Sequence, residues 1–293
     1  MKVLCFGSLN LDYVYNVNHI VTPGETETSS GRNVFCGGKG LNQSIAMSRA
    51  GLDVCHAGMV GPEGDILLDA LKDAGVDTSL VRRTKVPTGH TFIQVSRTGQ
   101  NSIVLFGGAN QEIDEEYIDS VLSEFAKGDA ILLQNEINNL NLIIDKAWEK
   151  GMFVILNPSP CNERISLCDL GKVGLFIVNE VEGAQISGLP SGAPGKILDW
   201  FSASYPDAQV VLTLGEDGSW YMGADHARIF QRAVTVEAVD TTAAGDTFTG
   251  YFLEGLLNGR LAAESMERAA KASAIAVTRQ GAAPSIPMRD ELE

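Results

Sequence analysis

The stretch "VDTTAAGDTFTGYF", residues 239–252, places a carboxylate, Asp246, directly after Ala243, Ala244 and Gly245. Beyond it Phe248, Tyr251, Phe252, Gly255 and Leu256 fall at helical spacing, so a helix is predicted to begin in the small-residue run. Free N–H groups and the positive end of the dipole gather at such a start. They suit the charge that develops on a transferring phosphoryl group. A carboxylate at the same point would repel that group. Its presence makes chemical sense where it faces an incoming hydroxyl and accepts its proton. The bland alternative is an N-terminal cap, for which Asp is a common choice.

Other polar groups follow apolar runs. "GGKGLNQS", residues 37–44, is neither a P-loop nor a dinucleotide fingerprint, since it lacks G-x-x-x-x-G-K-[ST] and the third glycine of G-x-G-x-x-G. Its glycines, Gly38 among them, let a ligand approach the backbone, and Asn42 offers donor and acceptor to a polyol. Lys39 could reach a hydroxyl or a phosphate; a tight loop with a surface lysine accounts for the pattern equally well. "GSLNLD" brings Asn10 and Asp12, and "QNEI" and "NPSP" bring Glu136 and Asn157. In "VNEVEG", Asn179 and Glu182 share one face of a first helical turn. Such a pair suits a hydrated magnesium ion held through water, or a helix cap. "TLGEDGSW", with Thr213, Gly215 and Gly218, could cradle a nucleotide phosphate or turn a hairpin.

The elements that must position these groups are legible. "AILLQ", "FVILN", "LFIVN" and "QVVLTL" are continuous apolar runs, which predict strands covered on both faces and so a mostly parallel sheet with flanking helices. "DVCHAGMVG" reads as one short strand. "GDILLDALKDAG" reads as a helix burying Ile66, Leu67, Ala70 and Leu71. Residues 13–35 and 86–107 are richer in β-branched residues and polar alternation, and "HTFIQVSRTGQNSIVLF" predicts a hairpin turning at residues 98–101. The expected organisation is an α/β core over 1–12, 36–85 and 108–293, with a small β lid over 13–35 and 86–107.

At 293 residues the chain can bury a large core without staples. A formal charge of −15 argues against a nucleic-acid surface but not against a nucleotide substrate, whose phosphates backbone amides can hold. The five cysteines, an odd number, match neither zinc nor redox spacing, and the four histidines are scattered. Reduced thiols in a cytoplasmic protein are expected. The apolar run at residues 3–6 is too short for a signal-peptide core, and no stretch reaches membrane-spanning length, so no membrane partner is expected.

Taken together these residues resemble the ribokinase (PfkB-type) family of carbohydrate kinases over essentially the whole chain. Gly37, Gly38, Asn42, Ser44, Gly51 and Gly61 match its first signature, Asp240 through Asp246 its second, and Asn179 with Glu182 its N-x-x-E motif. The resemblance implies a three-layer α/β/α core with a β lid. It implies ATP-dependent phosphorylation of a sugar, foremost D-ribose at O5. Asp246 would be the general base, and the amides of Ala243, Ala244 and Gly245 the anion hole. Asn10, Asp12, Gly38, Lys39, Asn42 and Glu136 would hold the sugar. Asn179, Glu182, Thr213, Gly215 and Gly218 would lie along the nucleotide and its magnesium. A monovalent cation, usually potassium, would be held by Asp240, Thr242, Ala276, Arg279, Gly281 and Ser285. A homodimer through the lid is expected.

Three features depart from the family pattern. Tyr251 stands where Gly or Ala is usual, His90 and Thr91 replace apolar residues on the lid strand, and a further C-terminal helix is expected beyond Glu293. The two lid positions keep a kinase for another sugar, such as fructose, or for a nucleoside open. A non-catalytic binder on the same fold would have lost the base or the anion hole, and both are present. A dehydrogenase is disfavoured by the missing dinucleotide fingerprint.

Overall fold

The computed structural model describes residues 1–292. In chain order the strands are β1 (Val3–Phe6), β2 (Asn10–Val17), β3 (Gly31–Gly37), β4 (Val54–Ala57), β5 (Met59–Val60), β6 (Arg82–Arg83), β7 (Gly89–Ser96) and β8 (Asn101–Phe106). They continue as β9 (Ala130–Gln134), β10 (Phe153–Asn157), β11 (Leu175–Asn179), β12 (Gln209–Thr213), β13 (Ser219–Met222) and β14 (Arg228–Gln231). The helices are α1 (Lys39–Ala50), α2 (Asp65–Asp73), α3 (Glu115–Ser123), α4 (Leu140–Glu149), α5 (Glu180–Ser187), α6 (Pro194–Ser204), α7 (Ala244–Leu257) and α8 (Ala262–Val277).

The apolar runs form the middle of an eight-stranded sheet, ordered β14-β13-β12-β11-β10-β9-β1-β4. From β4 to β12 the neighbours are parallel; β13 and β14 close the far edge antiparallel. The runs are continuous because each strand feeds two cores. Leu4, Phe6, Ile131 and Leu133 pack with Ile118, Ile144 and Phe201 from α3, α4 and α6. Val3, Cys5, Ala130 and Leu132 pack on the other face with Leu41, Leu71, Phe252 and Ala272 from α1, α2, α7 and α8. Each fully buried Leu or Phe in these layers contributes roughly 1.5–3 kcal/mol. Among the described residues, no helix is long and apolar enough to cross a membrane.

A second sheet, ordered β3-β2-β7-β8, stands apart from the first. Its register pairs Asn10 with Gly89 and Asp12 with Thr91, so these positions share one face by the two-residue period of a strand. Because β2 begins at Asn10 and β3 ends at Gly37, the sheet extends past residues 13 and 35 on both sides. Asn10 and Asp12 therefore sit at the root of the small sheet, not at the end of a core strand.

Two local expectations need correction. Ile66 does not share the buried face of α2: it is 45% exposed, while Leu67 and Leu71 are fully buried. "DVCHAGMVG" is two strands. The break falls at Gly58, whose N–H and carbonyl both bond the Tyr117 hydroxyl, so β4 joins the large sheet and β5 pairs with β6.

Candidate active site

The start of α1 is built around its own unsatisfied amides. Lys39 N–H donates to Glu136 Oε2 at 2.9 Å, Gly40 N–H to Ser8 Oγ at 3.2 Å, and Leu41 N–H to the Ser8 carbonyl at 3.0 Å. The Ser8 hydroxyl also donates to Glu136 Oε2. Glu136, two residues past β9, is thereby pinned beside Gly38 and Lys39. Gly38 has φ 95°, and an added Cβ would lie 3.0 Å from the Ser8 carbonyl oxygen, so both conformation and space ask for glycine. Across the crevice Asn10 Oδ1 accepts from Asn110 Nδ2 at 2.7 Å, and Asp12 Oδ1 accepts from Thr91 Oγ1 at 2.5 Å. Gly37 makes room for Asp12, since an added Cβ there would stand 2.7 Å from Asp12 Cγ. Burial raises the Asp12 carboxyl above its ordinary range; the Thr91 hydroxyl offsets part of this, and the nearby Glu136 charge adds to it.

Asp246 lies in the first turn of α7 and is buried, yet it caps nothing: α7 has no side-chain cap. Its carboxylate is held from α1 instead. Asn42 Nδ2 donates to Oδ2 at 3.1 Å and Gln43 Nε2 to Oδ1 at 2.8 Å, with Lys39 Nζ 4.0 Å from Oδ1. Asn42 Oδ1 is buried and has no hydrogen-bond partner among the described residues, leaving an acceptor beside the carboxylate. Burial works against the Lys39 charge, but Asp246, Glu136 and Glu182 outweigh it and raise Lys39 above its ordinary value. The ammonium is thus a fixed positive charge among three carboxylates.

The cap of α7 is Ala243, in the left-handed region at φ 60°, a conformation that costs a non-glycine residue on the order of 1 kcal/mol. Ala244 N–H turns back to the Thr241 carbonyl at 3.3 Å. The amides of Ala243 and Gly245 have no acceptor among the described residues. An added Cβ on Gly245 would meet nothing within 4 Å, so this glycine leaves open space rather than permitting tight packing.

That open space belongs to a cavity of about 700 Å³ lined by Thr213, Gly215, Gly218, Ala244, Gly245 and Val236. Gly215 has φ 57° and Gly218 φ 113°, which shape the turn between β12 and β13. Asn179 sits in register with Thr213 across β11 and β12. Asn179 and Glu182 form a reciprocal capping box at the start of α5: Glu182 N–H donates to Asn179 Oδ1 at 2.8 Å, and Asn179 N–H to Glu182 Oε2 at 3.0 Å. The cap reading of this pair therefore holds. Glu182 Oε1 keeps no partner among the described residues, and the carboxylate contributes to the field on Lys39.

Beside α7, Asp240 Oδ1 accepts from the N–H and hydroxyl of Thr242 and Oδ2 from Gly281 N–H at 2.9 Å. Burial raises this carboxyl, but the bonds from Thr242 and Gly281 outweigh it and hold Asp240 below its ordinary range. The loop before α7 is so tied to the segment after α8. Ala276 accepts from Arg279 N–H at the end of α8, and the buried Ser285 hydroxyl donates to the Ala282 carbonyl. The Arg279 side chain leaves this group and pairs with Glu291.

Of the residues that hold the others, sequence reasoning named Asn157 and missed the rest. Ser8 organises Glu136, Asn110 orients Asn10, and Gln43, Gln134 and Asn157 form a buried amide chain behind Asp246. Gln43 stood in the quoted glycine loop and Asn157 in "NPSP"; Asn110 carried no local signal.

Comparison with known proteins agrees with this geometry. The model for the pfkB family carbohydrate kinase matches residues 1–289. The chain is 33% identical over 296 residues to the ribokinase of Haemophilus influenzae, spanning 97% of this chain and 95% of the relative. A solved ribokinase from Thermotoga maritima is 33% identical with a TM-score of 0.85, covering 100% of this chain and 98% of that one. The Arabidopsis thaliana ribokinase, solved with ribose and ATP, is 28% identical with a TM-score of 0.87, covering 99% and 97%. With its two signatures meeting where Asn42 holds Asp246, and a match from end to end, the chain belongs to the pfkB family of carbohydrate kinases, phosphotransferases that act on an alcohol group.

Proposed function

We propose that this protein transfers the γ-phosphoryl group of ATP to O5 of D-ribose. The observation that carries the reading is the placement of Asp246, held by Asn42 and near Lys39, at the open N-terminus of α7. The relatives named as ribokinases, one of them solved with ribose and ATP, support the choice of substrates.

The sugar lies between the root of the small sheet and the start of α1. Asn10, Asp12, Lys39, Asn42 and Glu136 bind its hydroxyls, and Gly38 gives them backbone access. Its primary hydroxyl faces Asp246, which accepts the proton as the oxygen attacks the γ-phosphorus in line. The bond to the bridging oxygen breaks with its electron pair going to ADP. Charge on the transferring oxygens meets the amides of Ala243, Ala244 and Gly245 and the Lys39 ammonium. Catalysis is then positioning plus charge stabilisation.

ATP occupies the cavity lined by Thr213, Gly215 and Gly218. Glu182 would hold magnesium through water by its uncommitted oxygen, a fit for an ion that keeps most of its waters. Bound there, magnesium neutralises phosphate charge. Asp240, Thr242, Ser285 and the carbonyls of Ala276, Arg279 and Gly281 offer an all-oxygen set suited to potassium. The four-stranded sheet acts as a lid. Its exposed Ile103, Val104, Leu105 and Phe106 pair with a second copy, and the protein works in the cytoplasm.

ADP release is to be followed on D-ribose, 2-deoxy-D-ribose, D-fructose and nucleosides, with and without potassium. The highest kcat/KM is expected for D-ribose with potassium; no turnover of any pentose overturns the assignment. Light scattering should give a dimer, and a monomer at micromolar concentration rejects lid pairing.

A further inference from the structure

The Asp246 carboxylate is held by two consecutive residues of α1, and of the two only Asn42 keeps a buried polar atom without a partner, its Oδ1. Gln43 is fully buried and faces away from solvent into the sheet. Its amide is committed on every side. Gln134 Nε2, at the end of β9, donates to Gln43 Oε1 at 2.7 Å. Gln43 Nε2 donates to Asp246 Oδ1 and to Asn157 Oδ1, both at 2.8 Å. Asn157, at the end of β10, donates in turn to the Ile177 carbonyl at 2.8 Å.

This chain has a direction. Gln134 presents an N–H to the Gln43 carbonyl, so Gln43 must present its NH₂ to the carboxylate. The flipped amide would set oxygen against oxygen at Asp246 and Asn157 and N–H against N–H at Gln134. Neighbouring hydrogen bonds of one sense polarise each other in a buried site. The result is a carboxylate whose rotation is fixed from behind by the ends of β9 and β10, two strands remote from it in sequence.

We propose that Gln43 is a positioning residue for the phosphoryl transfer, fixing the orientation of the Asp246 carboxylate through an amide relay from Gln134 and Asn157. The proposal rests on the reading of Asp246 as the proton acceptor. Gln43 needs no contact with sugar or nucleotide. One Asp246 oxygen is taken up by the relay, and the other stays beside Asn42 for the substrate hydroxyl. Binding and catalysis should then separate. Loss of the relay leaves the sugar contacts intact and lets the base turn out of line, where a displacement of about 1 Å can cost ~10²-fold.

The test uses Gln43→Met, which keeps length and loses the donor. With D-ribose and ATP its kcat should fall about 10- to 100-fold while both KM values stay within about threefold. Gln134→Met touches Gln43 but not Asp246, and should give a smaller fall in kcat, roughly three- to tenfold, again with unchanged KM. A folded Gln43→Met with kcat within about twofold of the parent overturns the proposal, as does a fall in kcat matched by a comparable rise in KM for D-ribose. Should Gln43→Met fail to fold, an unaltered kcat in Gln134→Met overturns it. Asp246→Asn separates the two ideas: near-normal kcat there rejects the proton-acceptor reading, whereas inactive Asp246→Asn beside fully active Gln43→Met rejects the relay alone.

Discussion

Gly250 of α7 lies directly against Ala46 of α1: an added Cβ would run into the Ala46 side chain and stand 2.6 Å from both the Ala46 carbonyl carbon and Met47 N. Each residue sits one helical turn beyond a site residue, Gly250 after Asp246 and Ala46 after Asn42. The close approach of the two helices thus sets the spacing that lets Asn42 and Gln43 reach the carboxylate. Gly250→Ala should separate the helices because the obstacle is backbone and cannot swing aside. Overpacking of this kind costs about 1–3 kcal/mol, of which the better helix propensity of Ala returns about 0.5–1. Urea unfolding should show a net loss, and kcat should fall with it. A variant as stable and as active as the parent would mean the helices have room to spare.

Tyr251 is explained by what its hydroxyl reaches. The ring is fully buried in the core beneath α7, and the hydroxyl donates to the Pro287 carbonyl at 2.8 Å. Burial pushes the phenol far above its ordinary range, so it remains a donor at any working pH. Arg49 reinforces the same segment by donating to the carbonyls of Ala283 and Ile286. A small residue here could fill neither role. Tyr251→Phe should cost about 1–2 kcal/mol by leaving a buried carbonyl unpaired. Proteolysis should then accelerate between residues 281 and 288. Equal stability of the two proteins would assign Tyr251 to packing alone.

These cases mark where the sequence speaks and where it is silent. The continuous apolar runs announced strands buried on both faces because composition alone records two-sided burial. Asp246 was legible for a similar reason: small residues before a carboxylate at a helix start are a local pattern. Gln43, Asn110 and Ser8 act across separations of about a hundred residues or more, and nothing near them in the chain marks their partners. The spacing of Glu182 from Asn179 suits magnesium and capping alike, so sequence cannot separate the two uses. Ile66 was misplaced because its i, i+4 relation to Ala70 looks apolar, although Leu67 and Leu71 define the buried stripe.

Thr91, one of the two polar replacements on β7, turns inward and binds Asp12, whereas His90 lies on the opposite face against Tyr13, Phe92 and Phe106. If Asp12 holds the sugar as proposed, Thr91 is the one expected to bear on sugar binding, not His90. Thr91→Val keeps the shape and removes the donor. KM for D-ribose should rise roughly fivefold, the equivalent of about 1 kcal/mol, with kcat unchanged. His90→Leu should leave KM where it is. A rise in KM for His90→Leu and none for Thr91→Val would reverse this assignment.

His56 gives the fold a dependence on acid that is independent of the site's chemistry. It is fully buried on β4, its Nδ1 bonded to Ser44 Oγ at 2.8 Å. Burial depresses it from 6.5 to about 4, against an opposing pull from the Gly7 backbone. A depressed histidine contributes stability that is fully present above its unfolded value and is lost as pH falls toward the folded one. In that window the unfolded chain binds a proton that the folded chain refuses. At pH 5 the loss from this residue is about 2 kcal/mol relative to pH 7. Denaturant unfolding of the parent and of His56→Gln at both pH values should show the parent losing about 2 kcal/mol more than the variant on acidification. Parallel losses would mean that the imidazole is protonated in the folded protein at pH 5, and that Ser44 or a shift of β4 accommodates its charge.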